Sequence, residues 1–202
     1  MKGDVMSRTI GVIGTGEIAR MHMEAVGPLG WKVAGGYDVD KDAAQAFCKT
    51  FGGRIYESAQ AMLDDPSIDT VYICTRHDSH AALGCAAIVA GKNVFLEKPA
   101  AITASGARQL LEAHLARPVP FAVGYNMRMA PATQRFCSLL KQYSVQVSAF
   151  KASMTGPPFM DGWASDPIQG GGVLVCQGSH MFDLLCYVLG SKVAAVCVAT
   201  QH

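Results

Sequence analysis

Short apolar runs recur along the first 124 residues, and each is followed by a segment whose apolar residues repeat with helical spacing. The first run, Thr9 to Ile13, has no polar alternation, which is typical of a parallel strand buried on both faces. Strands that alternate with helices predict a parallel sheet covered on both sides, an α/β fold. The predicted strands are Thr9 to Ile13, Trp31 to Tyr37, Arg54 to Tyr56, Thr70 to Cys74, Asn93 to Leu96 and Pro120 to Val123.

Turn and capping residues set the ends of the predicted helices. Gly91 is placed to end one helix, Thr103 is a suitable N-cap for the next, and Pro118 follows the end of that helix. A first helix opens directly after the first strand. The others are predicted over Lys41 to Phe51, Ser58 to Leu63, Ser79 to Ala90 and Thr103 to Ala116.

The turn after the first strand carries small residues at regular positions. The pattern Gly14-x-Gly16-x-x-Ala19 fits the dinucleotide-binding fingerprint, in which these residues give a tight turn, an approach to the pyrophosphate and close helix packing. The free N–H groups and the dipole of the following helix make an anion site. We predict a Rossmann-type doubly wound parallel sheet, with a cofactor bound at Gly14, Gly16, Glu17, Ile18 and Ala19.

Asp38 follows the second predicted strand, close to where the fingerprint places an acidic residue. A carboxylate there accepts hydrogen bonds from both ribose hydroxyls and repels a 2′-phosphate, so we predict NAD(H) in preference to NADP(H). The alternative is that Asp38 is a turn residue or a helix cap, because the helix-like segment Lys41 to Phe51 begins soon after it.

The composition is that of a globular protein. Half of the 202 residues are hydrophobic and 16% are charged, which excludes wholesale disorder. The net charge of +1 and the pI near 7.6 give no basic excess that would attract nucleic acid or acidic lipid. No stretch reaches the roughly 18 apolar residues of a membrane span, and Met1 to Ile10 has no hydrophobic signal core. We therefore expect a cytoplasmic protein without nucleic-acid or membrane partners.

The seven cysteines are scattered through apolar segments. An odd number without regular spacing indicates reduced thiols in a core rather than a disulfide framework. Cys74, His77 and His80 lie close together in sequence, but no fourth ligand accompanies them. We therefore predict no metal site.

Four stretches of the chain carry an ordered set of motifs: Val71 to His80, Ala90 to Pro99, Val123 to Arg128, and Asp166 to Asp183 with Gly170, Gly171, Gly172, Gly178 and His180. Together they resemble the glucose-fructose oxidoreductase and inositol dehydrogenase family (Gfo/Idh/MocA). Members of that family read C-T-P-x-x-x-H and then A-G-K-H-V-x-x-E-K-P, and later G-G-G-x-L-x-D-x-G-x-H-x-x-D. The resemblance covers nearly the whole chain.

The resemblance implies NAD(P)-dependent hydride transfer at a secondary alcohol of a sugar, cyclitol or related polyol. Lys98 takes the place of the catalytic lysine, where a cation stabilises the alkoxide that develops on the reacting oxygen. His180 matches the acid/base histidine, and imidazole titrates near neutrality. The alternatives are that Lys98 is a solvated loop residue and that His180 is a core histidine on a predicted helix from Val173 to Leu189.

The same resemblance places further residues around the site. Thr75, His80 and Glu97 are expected at the cofactor, with Glu97 holding either the lysine or the ribose. Arg76 stands where the family has a proline, and it is expected either to bind an anionic group or to cap the sheet. The residues expected at the substrate are Arg76, Asn126, Arg128, Cys176 and Gln177.

Two departures from the family pattern bear on activity. Cys176 stands where the family carries an aspartate four residues before the histidine, and a neutral thiol cannot replace that carboxylate. Residues 1–124 are expected to form the NAD-binding domain and 125–202 part of an α+β substrate domain, with strands at Val145 to Ser153 and Val193 to Thr200. Two strands are too few for a stable sheet, so we expect a fragment, a truncated gene product, or a chain that depends on a partner for the missing strands. The full-length form is expected to be a homo-oligomer. The alternative to an enzyme is an NAD-binding protein without turnover.

Overall fold

The structure, a computed structural model, describes residues 7–147, 149–151 and 162–197. Six parallel strands form one sheet in the order β3-β2-β1-β4-β5-β6. This order is that of the Rossmann sheet, so the predicted fold class is confirmed. The strands are β1 (Thr9–Ile13), β2 (Lys32–Tyr37), β3 (Arg54–Ile55), β4 (Thr70–Ile73), β5 (Asn93–Leu96) and β6 (Phe121–Val123).

Helices connect the strands, and several begin at a side-chain cap. Asp40 accepts hydrogen bonds from two backbone N–H groups of α2, while Ser58 and Thr103 each accept one from α3 and α5. These caps satisfy donors that have no partner within the helix. The helices are α1 (Glu17–Val26), α2 (Lys41–Phe51), α3 (Ala59–Leu63), α4 (His80–Val89), α5 (Ala104–Ala116), α6 (Pro131–Gln142) and α7 (Ser179–Leu189).

The core lies on both faces of the sheet because alternate residues of the central strands point to opposite sides. On one face, Ile10 and Val12 of β1 pack with Phe47 of α2. On the other, Val71 and Ile73 of β4 pack with residues of α3, α4 and α5. Burial on both sides explains why these strands are continuous apolar runs.

β1 lies between β2 and β4 at the centre of the sheet. From β2 the chain continues outward to β3 on one side, and from β4 it continues outward to β5 and β6 on the other. In such a sheet the crevice beyond the carboxyl ends of the two central strands is the usual ligand site. The glycine turn follows β1 and the 74–79 loop follows β4, so both reach this crevice. The fold therefore brings together two of the motifs found in the sequence.

The described residues divide into two compact units. The first unit contains the sheet, with residues up to 124 and also 162–176, and the second contains 125–147, 149–151 and 177–197. Residues 145–147, 149–151 and 193–197 form no strand. The strands predicted at Val145 to Ser153 and at Val193 to Thr200 are therefore wrong over these residues. The remaining residues of each predicted strand lie outside the described ranges.

The predicted helix from Val173 to Leu189 is divided. Leu174–Gly178 form one turn of π-helix, and α7 starts after it. Across the described ranges, every helix is too short or too polar to cross a membrane.

Candidate active site

The glycine turn is built as the fingerprint predicts. Gly14 has a φ of +83°, and a Cβ atom there would lie 2.7 Å from the backbone carbonyl of Cys74. Its N–H group donates to the carbonyl oxygen of Tyr37 at 2.8 Å, which ties the turn to the end of β2. A side chain at position 14 would break this turn by both strain and collision.

The start of α1 is open. Gly16 is its N-cap and supplies no side-chain acceptor, and a Cβ built there meets no atom within 4 Å. Glu17 and Ile18 border the space in front of this helix end. Ala19 is fully buried and packs against the sheet, so its contribution is to bring the helix close to β1.

Asp38 binds the glycine turn directly. Its Oδ2 accepts hydrogen bonds from the backbone N–H of Thr15 at 2.7 Å and from the Thr15 hydroxyl at 3.1 Å. Its Oδ1 accepts the N–H of Asp40 at 3.0 Å, and Asp40 is the residue that caps α2. Asp38 is therefore a turn residue rather than the helix cap. A carboxylate oxygen can accept more than one hydrogen bond, so Oδ1 retains room for a ribose hydroxyl.

Lys98 follows β5 and is half-buried. Its Nζ donates to the carbonyl oxygen of Cys176 at 3.1 Å and lies 4.0 Å from the Cys176 thiol. The Lys98–Pro99 peptide bond is cis. The thiol thus stands beside the ammonium group at the position where an aspartate was expected from the family pattern.

Glu97 holds the backbone of Lys98 rather than facing the cavity freely. Its Oε2 accepts the N–H of Lys98 at 3.0 Å, and its Oε1 accepts a hydrogen bond from Nε2 of His22 on α1 at 2.6 Å. A Cβ at Gly124 would lie 2.8 Å from Oε1, so the glycine leaves room for the carboxylate. Burial by itself raises the pKa of Glu97. The hydrogen bond and charge of His22, together with the hydrogen bond from the Lys98 N–H, have the larger effect, so the pKa of Glu97 is lowered.

The loop after β4 is bound to residues 162–176. Nη1 of Arg76 donates to the side-chain oxygen of Gln169, and the N–H of Asp78 donates to the Gln169 carbonyl at 3.0 Å. Nδ1 of His77 lies 2.8 Å from the carbonyl oxygen of Gly170. Arg76 therefore fastens this segment to the loop after β4, a role that the sequence did not suggest.

His80 is completely buried at the start of α4. Its Nδ1 lies 2.7 Å from the carbonyl oxygen of Pro99 and its Nε2 lies 3.0 Å from that of Thr75. Burial lowers the pKa of His80. The ring joins two loops of the site from behind, which differs from the direct cofactor contact expected for it.

Many of these residues line one cavity of about 1030 Å³ in the first unit. Its wall includes the turn after β1, the ends of β2, β4 and β5, and part of the 162–176 segment. Of the residues predicted from the sequence, it contains Gly14, Gly16, Glu17, Ile18, Asp38, Thr75, Arg76, Glu97, Lys98 and Cys176. Within the described ranges, no three His, Cys, Asp or Glu side chains are arranged to hold a metal ion.

Ala19 and His80 lie in the first unit but outside the cavity wall, and the second unit holds the other predicted residues. Arg128 forms a two-pronged ion pair with Asp183 of α7, and Nε of Arg128 lies 2.7 Å from one carboxylate oxygen. His180 is buried one turn earlier on α7, with its ring 6.0 Å from that of Tyr125. Asn126 starts a 3₁₀ turn and Gln177 belongs to the π-helical turn.

Two residues of the first unit were missed in the sequence. His22 meets Glu97 from 75 positions away, and no local pattern announces such a pair. Trp163 lies in the cavity wall beside His77. Its position shortly before Asp166 and Pro167, at the head of the glycine-rich stretch, was the available signal.

Comparison with family models assigns both parts of the chain. Residues 8–125 match the oxidoreductase family with an NAD-binding Rossmann fold, and 144–202 match the Gfo/Idh/MocA C-terminal domain. The first match alone covers more than half of the 202 residues.

Individual relatives agree with the family models. The chain is 30% identical to the 1,5-anhydro-D-fructose reductase of Ensifer adhaerens over 95% of its own length and 59% of the relative's. It is 34% identical to the inositol 2-dehydrogenase of Paracoccus denitrificans over 77% of this chain and 44% of that one. A crystal structure of an oxidoreductase domain protein from Kribbella flavida superposes with a TM-score of 0.80 at 25% identity, covering 91% of this chain and 53% of the other.

The chain thus spans about half the length of the curated relatives it matches. The six-stranded sheet, the open glycine turn and the lysine after β5 all lie within the residues that match the NAD-binding Rossmann model. The chain belongs to the Gfo/Idh/MocA family of oxidoreductases, and its first unit is an NAD(P)-binding Rossmann domain.

Proposed function

We propose that this chain forms the cofactor site and part of the active site of an NAD-dependent oxidoreductase acting on a secondary alcohol of a sugar, cyclitol or related polyol. The observation that carries the proposal is the single cavity whose wall contains the glycine turn, Asp38 and Lys98. The names of the two relatives, an anhydrofructose reductase and an inositol dehydrogenase, support this substrate class.

The residues present fit a dinucleotide. The open space at Gly16 and the uncapped first turn of α1 suit a pyrophosphate, since they present free N–H groups and the positive end of the helix dipole. Asp38 would hold the ribose of the adenosine half through Oδ1. The nicotinamide ring supplies the acceptor or donor of hydride.

Lys98 is proposed to bind the reacting oxygen of the substrate. Its ammonium group donates to the carbonyl oxygen of Cys176 and lies 4.0 Å from the Cys176 thiol, so a hydrogen-bond donor stands in the cavity where it could meet a developing alkoxide. A preorganised donor of this kind contributes roughly a hundred- to a thousand-fold in kcat. We propose that the second unit belongs to the substrate domain and that His180 on it exchanges the hydroxyl proton, as the family pattern implies.

We further propose that the cofactor is NAD(H) rather than NADP(H). A 2′-phosphate within about 4 Å of the Asp38 carboxylate would be repelled by about 4 kcal/mol per unit charge at the effective dielectric of a protein surface. Ribose hydroxyls carry no such charge and can donate to the carboxylate.

The test is a titration of the purified chain with NADH and with NADPH, followed by nucleotide fluorescence and by thermal shift. We expect NADH to bind at least about tenfold tighter, which corresponds to about 1.4 kcal/mol. Asp38→Asn keeps the acceptor oxygen but removes the charge, so NADPH binding should improve. Asp40→Asn, the matched control two residues away, should leave the preference unchanged. Failure of both nucleotides to bind would refute the proposal.

A second candidate function is that of an NAD-binding protein without turnover. The observation that favours it is the Cys176 thiol beside Lys98, because the carboxylate expected there is missing. Tight NADH binding without oxidation of any polyol would support this alternative.

A further inference from the structure

Trp163 is the largest aromatic side chain in the cavity wall. It remains 38% exposed, although it lies in a segment fixed to the first unit. Its ring meets that of His77 edge to face, with centroids 4.7 Å apart and an interplanar angle of 89°. An exposed aromatic surface inside a cavity bordered by polar groups is a feature of small-molecule sites.

His77 gives the indole a rigid support. The imidazole is only 5% exposed, and Nδ1 must carry a proton because the Gly170 carbonyl oxygen at 2.8 Å can only accept. Burial lowers the pKa of His77 and the charge of Lys98 lowers it further, against the bond to Gly170, so the ring is neutral near pH 7.

The segment that carries Trp163 is itself folded tightly. The N–H of Gly170 donates to the carbonyl oxygen of Asp166 at 2.8 Å, and a Cβ at Gly170 would lie 2.2 Å from the carbonyl oxygen of Ala164. At its other end, Cys176 accepts the hydrogen bond from Lys98. The indole is therefore held on a preorganised backbone, in the wall of the cavity that also contains the lysine proposed to bind the reacting oxygen.

We propose that the indole of Trp163 is the platform on which the apolar face of a cyclic polyol or sugar packs, so that Trp163 determines specificity for ring substrates. This inference rests on the proposed function. The face of an aromatic ring is negative, and the axial C–H groups of a saturated ring bearing hydroxyls are polarised positive, so the two surfaces attract. The adenosine half of the cofactor is the less suitable occupant, because its proposed contacts follow β1 and β2, whereas Trp163 shares its segment with Cys176, whose carbonyl oxygen accepts the hydrogen bond from Lys98. The nicotinamide ring is the competing occupant that the experiment must separate from the polyol.

The experiment uses Trp31→Phe as the parent, because the chain has two tryptophans and this change leaves Trp163 as the reporter. NADH binding to the parent is measured first. At saturating NADH, binding of myo-inositol, D-glucose and the acyclic polyol D-sorbitol is then measured by Trp163 fluorescence in the parent and by thermal shift in all variants. The variants are Trp163→Phe and Trp163→Ala, each checked for an unchanged circular dichroism spectrum and NADH dissociation constant.

We expect one of the cyclic compounds to change the fluorescence of Trp163 and to bind more tightly than sorbitol. Trp163→Ala should weaken its binding roughly tenfold and Trp163→Phe about threefold or less, with NADH affinity unchanged in both. Loss of NADH affinity with retained polyol binding would assign the indole to the nicotinamide and overturn the inference, as would unchanged polyol binding in Trp163→Ala. No NADH binding to the parent, or no binding of any polyol, would instead refute the proposed function.

Discussion

Glu97 is a buried charge whose two oxygens join α1 to the backbone of Lys98. Its pKa is lowered in the folded chain despite the opposing effect of burial, because His22 and the Lys98 N–H stabilise the carboxylate. A carboxyl group with a lower pKa folded than unfolded stabilises the fold above its unfolded pKa of about 4.3 and loses that contribution as the pH falls below it.

We predict that Glu97→Gln lowers the free energy of unfolding by about 1–2 kcal/mol at pH 7, and that the difference from the parent shrinks as the pH falls through about 4. Urea unfolding of the parent and of Glu97→Gln at pH 7, 5 and 3.5 measures this difference in the free energy of unfolding. Glu24→Gln removes an exposed carboxylate from the same helix as His22 and should change stability by less than about 0.5 kcal/mol. A difference for Glu97→Gln that does not vary with pH would contradict the prediction.

Substitution of Cys176 distinguishes the proposed oxidoreductase from an NAD-binding protein without turnover. Its thiol is 4.0 Å from Nζ of Lys98, so an aspartate side chain could place a carboxylate beside the ammonium group. If the site is otherwise competent, Cys176→Asp should raise turnover of a bound polyol by roughly tenfold or more, in the range of general acid–base contributions. Cys176→Ser is the uncharged control of similar size, and it should not raise turnover. Equal, negligible turnover in all three forms would favour the non-catalytic alternative.

At the element scale, the contact between β2 and β3 depends on a glycine. The register of β1 against β2 shifts between Ile10 and Gly11, and Gly11 pairs with Gly35. A Cβ at Gly35 would lie only 1.9 Å from the carbonyl oxygen of Arg54 on β3. Because both the Cβ atom and the Arg54 carbonyl are fixed to the backbone, no side-chain rotation relieves this clash. The strands β2 and β3 would have to separate.

We predict that Gly35→Ala destabilises the chain by about 2 kcal/mol or more, a size typical of backbone strain and overpacking. The matched control is Gly27→Ala, since Gly27 has helical dihedral angles and a Cβ there meets no atom within 4 Å. That change should be neutral or stabilise by up to about 1 kcal/mol. Thermal unfolding of both variants tests the pair, and equal melting temperatures would show that β2 and β3 tolerate the side chain.

Most of the sheet and of the cavity beyond its central strands could be predicted from the sequence. The six strands of the sheet were predicted within one residue at each end. Five of them are apolar runs, whereas β3 is only the exposed pair Arg54–Ile55. The fingerprint also placed Gly14, Gly16 and Asp38 in one cavity, because chain order fixes which strand ends meet at the centre of a Rossmann sheet.

What could not be predicted depended on distant partners. The apolar stretch that starts at Val145 resembles a strand, but its described residues pair with no neighbour, and apolar alternation specifies a face rather than a partner. His22 and Glu97 meet across 75 positions, and His80 is buried between two carbonyl oxygens. A histidine in a motif can contact a ligand or support the loops behind it, and only the fold distinguishes the two.

At the scale of the whole molecule, the two units differ in how much they bury. The strands β1 and β4 hold residues with no exposed surface, and α2 buries Ala44 and Phe47. In the second unit, α6 buries none of its residues and α7 buries only His180. Since burial of apolar surface supplies most of the stability of a fold, the second unit should open at a lower free energy than the first.

Hydrogen exchange followed by mass spectrometry tests this difference. The helices α2 and α7 are both 11 residues long, so they form a matched pair that differs in burial. We expect amides of α7 and α6 to exchange with opening free energies at least about 2 kcal/mol below those of α2 and β4, which open only with the first unit as a whole. Added NADH should raise protection at β1 and α1 and leave that of α6 unchanged, because the proposed cofactor contacts lie entirely in the first unit. Equal protection of α2 and α7 would show that the units unfold as one body and that helix burial does not set their stability.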